Sequence, residues 1–112
     1  MSLLDKKYNM KEPNVVYNLQ ISNPVMVKEV KNLVNKNLSG KMSSALTKIY
    51  SKWENVEVVV KVSISENNWL YDWDFILEYD GSTLNYSRKW FSILSDLVNH
   101  AFDNFKQWVL DK

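Results

Sequence analysis

VEVVVKVSISENNWLYDWDFILEYDG, residues 56–81, is the stretch on which the fold turns. Val56, Val58, Val60, Val62 and Ile64 alternate with Glu57, Val59, Lys61 and Ser63, the period of a strand with one buried face. Glu66-Asn67-Asn68 reads as a turn. Trp69, Tyr71, Trp73, Phe75, Leu77 and Tyr79 then share one face of a second, long strand, against Leu70, Asp72, Asp74, Ile76 and Glu78. Asp80-Gly81 predicts a tight hairpin with Gly81 at positive φ, because a two-residue turn needs that conformation. A short strand, Thr83 to Tyr86, follows. Ser87 reads as the cap of a last helix, with Phe91, Leu94, Val98, Ala101, Phe105 and Val109 on its apolar side.

Working back toward the N-terminus, Val15, Tyr17, Leu19 and Ile21 alternate with Val16, Asn18 and Gln20 and predict another half-buried strand. Asn23 and Pro24 form a helix start, an N-cap followed by Pro at the first helical position. Apolar residues then fall at Val27, Val30, Val34, Leu38, Met42, Ala45, Ile49 and Trp53, in steps of three and four. The stripe keeps register across Ser39-Gly40. It therefore favours one long, kinked helix from about residue 24 to residue 52 over two helices meeting near Gly40. The predicted fold is α+β in the order β-α-β-β-β-α: a four-stranded mixed sheet with two helices packed on one face. Its first two strands lie parallel through a right-handed helical crossover. Residues 1–13 are polar, lack periodicity and read as a flexible arm. Residues 14–112 make a single domain, the size expected for a chain of 112 residues.

Composition excludes much chemistry. There is no Cys, so no disulfide, thiol nucleophile or thiolate metal site. One His excludes paired-histidine metal motifs, and two Gly exclude a glycine-rich phosphate loop. The longest aliphatic run is Val58-Val59-Val60, far short of a membrane span. MSLLDKKYNMKEP lacks the apolar core of a secretory signal, so a cytoplasmic location is expected. No cofactor, metal or enzymatic activity is predicted. Charge is distributed unevenly: residues 1–52 hold nine lysines and three acids (+6), and residues 53–112 hold five basic and ten acidic residues (−5). A solvated helix face accounts for such a split. So does a basic surface that meets nucleic acid or an acidic partner.

Three stretches carry a family resemblance. LTKIYSKWENVEVVVKV (46–62) resembles the helix end and second strand of the ribosome hibernation-promoting factor and ribosome-associated inhibitor A family (sigma-54 modulation proteins). VKNLVNKNL (30–38) is similar to that family's LREYVEKKL helix, and WFSILS (90–95) to the MYAAID opening of its last helix. The similarity extends from about residue 15 to residue 110 and rests on pattern and element order. It implies a fold related to double-stranded-RNA-binding domains, in a divergent member. It also implies binding to the small ribosomal subunit in the mRNA and tRNA channel, silencing translation under stress. In the family, helix lysines and arginines meet rRNA phosphates. Lys31 stands where the family has Arg, and Lys36 where it has Lys. Lys48 and Lys52 match basic positions near the helix end. The last helix departs: His100 and Asp103 replace expected cations, leaving Lys106. About two helical turns are inserted around Ser39 to Ala45.

The candidate RNA-binding set is therefore Lys28, Lys31, Lys36, Lys48, Lys52 and Lys106. Lysine without arginine makes point-charge contacts, which suits phosphate better than base edges. The aromatic ladder at 69–79 is more economically a core face than a base-stacking platform. Leu70, Ile76 and Val59 share the opposite face. If uncovered, it is a candidate homodimer surface, and this defines the alternative of a non-catalytic protein–protein interaction module. Asp72 and Asp74, two apart on one strand, are read as solubilising charge, and His100 as a helix-surface residue.

Overall fold

The computed structural model describes residues 12–53, 55–68, 70–91 and 93–111; of Trp90 and Phe91 it describes the backbone only. In chain order the elements are β1 (Asn14–Gln20), α1 (Pro24–Ser39), α2 (Ser43–Lys52), β2 (Val58–Asn67), β3 (Leu70–Tyr79), β4 (Ser82–Phe91) and α3 (Leu94–Leu110). The strands form one mixed sheet in the order β1-β2-β3-β4. β1 lies parallel to β2, as a helical crossover requires, and the other two pairings are antiparallel. The result is a single α+β domain. The predicted arm, residues 1–11 in particular, and the inward place of Trp69 lie outside the described residues.

The sheet follows from the alternation. Val58, Val60, Val62 and Ile64 are buried on the same face as Tyr71, Trp73, Phe75, Leu77 and Tyr79. Val56 precedes the strand and is half-buried against the core. The first hairpin is tighter than the sequence suggests: pairing continues to Asn67 opposite Leu70, and Asn68 takes φ +50°. The second has the expected form, with Tyr79 opposite Ser82 and Asp80 and Gly81 at φ +48° and +74°.

The helical layer corrects two expectations. There is no single kinked helix. α1 ends at Ser39, and Met42 N–H donates to the Asn37 carbonyl at 2.8 Å across the break. A Cβ on Gly40 would lie 3.0 Å from the Lys36 carbonyl oxygen, so the chain turns where only glycine fits without displacement. The joint is short, and Met42, Ala45 and Ile49 continue the stripe of Val30, Val34 and Leu38 into the same core. The second correction concerns β4, which runs to Phe91; Ser87 caps no helix. Its hydroxyl instead donates across the sheet to Asp74 at 2.7 Å. Phe91 consequently closes a strand and does not open a helix, and its side chain lies outside the described residues. α3 starts at Leu94 after Ile93, which supplies no side-chain cap.

α3 packs on β3 and β4 and against both other helices. Its buried face is broad: Leu94, Leu97, Val98, Ala101, Phe102, Phe105 and Val109. Phe102 lies edge-on to both Phe75 and Phe105, with ring centroids 6.0 and 5.7 Å away. All three helices cover one sheet face and leave the other open.

Candidate nucleic-acid interface

Amphipathic phase decides which lysines of α1 reach solvent. Val30, Val34, Asn37 and Leu38 turn inward, so Lys28, Lys31 and Lys36 turn outward with Glu29, Asn32 and Asn35. Lys28, Asn32 and Lys36 follow one another at i, i+4 and i+8, about 12 Å from first to last along the axis. They border a shallow surface hollow of about 400 Å³, which Val25, Glu29 and Leu33 also line. The Lys31 ammonium stands 5.4 Å from the centroid of the Tyr17 ring in β1. Burial raises the Tyr17 phenol above its ordinary range. Among the described residues none of these three lysines forms an ion pair.

The remaining candidates separate by what they touch. Lys52 ends α2, exposed, with its ammonium 5.0 Å from the Trp53 ring centroid. Trp53 in turn leans on Tyr79, and Tyr79 on Trp108, at 5.6 and 5.7 Å. Lys48 is engaged inside the fold. Its ammonium donates to the Val109 and Leu110 carbonyls, both at 3.1 Å, and so closes the C-terminal end of α3. Lys106 is half-buried on α3, away from the α1 row in sequence and element. The structure thus groups Lys28, Lys31 and Lys36 on one helix face, places Lys52 at the end of the next helix, and occupies Lys48.

Asp103, which stands where the resemblance leads one to expect a cation, pairs with Lys41 at 2.7 Å. Lys41 also reaches the Asn99 carbonyl at 3.5 Å, and Asn99 Oδ1 accepts from the buried Asn37 amide at 3.1 Å. These polar contacts pin the joint between α1 and α2 onto α3. Asn37 gave no sign in the sequence beyond its phase among the inward residues. Asn32 and Asn35 are exposed on the lysine face as well, where helical phase alone puts their amides.

Asp72 and Asp74 line a hollow of about 280 Å³ on the open sheet face with Asn18, Gln20, Ser63 and Ser65. Among the described residues no group of three or more His, Asp or Glu side chains is placed to hold a metal ion. His100 is exposed on α3. No described helix is long and apolar enough to cross a membrane. Neither protein-family models nor characterised proteins give a match to the chain.

Proposed function

We propose that this domain is a ribosome-associated factor of the hibernation type, a divergent member of that family. In this reading it binds small-subunit rRNA through the solvent face of α1 and the end of α2, and acts without catalysis in the cytoplasm. One observation carries the reading: Lys28, Lys31 and Lys36 share a helix face on which, among the described residues, no carboxylate pairs with them. Exposed ammonium groups gathered on one helix face attract a phosphate backbone and displace its counterions. Lys52 adds an exposed ammonium at the end of α2, beside the Trp53 ring. Lys106 and Lys48 contribute less, the first through its half-burial and the second through its bonds to α3.

The test is sedimentation with purified small ribosomal subunits at low salt. Wild type pellets with the subunits, while the Lys31→Glu, Lys36→Glu double variant stays in the supernatant with an unchanged melting temperature. Wild type left in the supernatant at low salt overturns the proposal.

A second reading, a homodimer through the open sheet face, draws on the exposure of Val16 (52%) in the same cross-strand row as Ile76. Val59 lies close to that row on the same face. Lys61 stands between Val16 and Ile76 in that row and pairs with Glu78 at 3.4 Å, so the surface has a charged pair among its apolar side chains. Sedimentation equilibrium separates this reading from the first.

A further inference from the structure

The sheet has two edge strands, and they are guarded unequally. β4 carries Arg88 and Lys89 and has an irregular register against β3 between Tyr71 and Trp73. Charges and bulges of this kind discourage another strand from pairing. β1, NVVYNLQ, has neither charge nor proline. It pairs with β2 in unbroken register from Asn14 to Gln20. Among the described residues no strand lies on its outer side. An open edge of this composition is a template for strand addition.

Two features beside that edge select what is added. On the helical side of β1, a hollow of about 410 Å³ opens between Pro13, Val15, Asn35, Leu38 and Leu46, with Glu12 also on its wall. Val15, Leu38 and Leu46 give it an apolar wall, while Glu12, Asn35 and Ser39 make part of it polar. Two residues further along the same face of β1 is Tyr17, with the Lys31 ammonium 5.4 Å from its ring. In a strand, side chains two apart share a face. An added strand therefore offers one side chain to the hollow and the next on that face to Lys31.

We infer that the outer edge of β1 is a docking site for an extended segment of a partner protein. That segment carries an apolar and an acidic side chain two residues apart. Main-chain hydrogen bonds to β1 supply affinity; the hollow and Lys31 supply selectivity. A second copy of this chain is a poorer occupant, because β1 paired with itself brings no acid to Lys31. The inference is independent of ribosome binding and survives its failure.

The probe is an acetylated, amidated peptide, Thr-Val-Thr-Glu-Thr-Val-Thr, whose symmetry puts Val beside Glu on one face in either strand direction. Amide NMR spectra of the full chain are followed during titration, with hydrogen exchange of residues 14–20. The account expects saturable shifts centred on β1 and slowed exchange there. Replacing Glu by Lys in the peptide weakens binding about tenfold, since attraction becomes repulsion between half-shielded charges. Lys31→Glu in the protein reverses that preference. Shifts centred on β4 or the open sheet face, no saturation at millimolar peptide, or equal binding of the Glu and Lys peptides overturns the inference. Slow exchange in the free protein of the β1 amides that point away from β2, whether concentration-dependent or not, also overturns it, because another copy or this chain's own residues then hold the edge.

Discussion

Phe102 shows what pattern reading loses at the scale of a residue. Steps of three and four trace a stripe through Leu94, Val98, Ala101, Phe105 and Val109, all of which are buried. Leu97 and Phe102 lie beside that stripe and are buried as completely, because α3 meets the sheet on one flank and both other helices on the other. Its buried face is wider than a single stripe. Phe105→Ala should cost about 3–5 kcal/mol, the range for deleting a buried ring; urea unfolding measures it. Gly81→Val isolates a different quantity. A Cβ there meets nothing within 4 Å, so the cost is that of positive φ alone, about 1–2 kcal/mol. The tyrosines predict a pH dependence. Burial raises the phenols of Tyr17, Tyr50, Tyr71 and Tyr79 above the ordinary value of 10.0, with nearby carboxylates adding to the effect on the last three. As pH rises, the unfolded chain loses these protons first. Stability owed to them is therefore intact below pH 10 and falls above it. Melting temperatures at pH 8 and pH 11 should differ, with the alkaline value lower; equal values contradict the assignment.

At the scale of elements, strand existence and pairing were legible because alternation over β2 and β3 admits one burial arrangement. Boundaries were less so. Ser87 resembles a helix cap in isolation, yet the length of β3 offers a ladder that continues past it, and the hydrogen-bonded strand wins. Gly40 posed the converse problem. A stripe that holds register cannot reveal a joint that also holds register. A single substitution distinguishes the two arrangements by sign. In one continuous helix, Gly40→Ala would stabilise by about 1 kcal/mol. At this joint the new Cβ meets the Lys36 carbonyl at 3.0 Å, the same oxygen that accepts the Gly40 N–H. Denaturant unfolding should show destabilisation. Lys48→Met keeps the aliphatic stem and removes the ammonium that holds the Val109 and Leu110 carbonyls. The loss should be about 1 kcal/mol, seen as faster amide exchange in the last turn of α3.

Over the whole molecule, the charge split visible in the sequence is spatial only in part, since Lys61, Arg88 and Lys89 share the sheet with Asp72, Asp74 and Glu78, and Asp96 and Asp103 lie on α3. The lysines of α1 face outward from the helical layer. Asp72, Asp74 and Glu78 lie on the open side of the sheet, and Asp103 is paired with Lys41 at the helix seam. The basic half of the split could be read from composition. Which lysines remain available could not, because Lys41 and Lys48 are occupied by partners 58 or more residues away in sequence. The central claim is that α1 neutralises phosphates. Its most direct test is the salt dependence of binding to small ribosomal subunits, for wild type and for Lys28→Gln, Lys31→Gln, Lys36→Gln. Each lost phosphate contact should lower the slope of log K against log salt by about 0.7–0.9. The account predicts a slope shallower by about two to three units of that size in the triple variant, with an unchanged fold. An unchanged slope would contradict it.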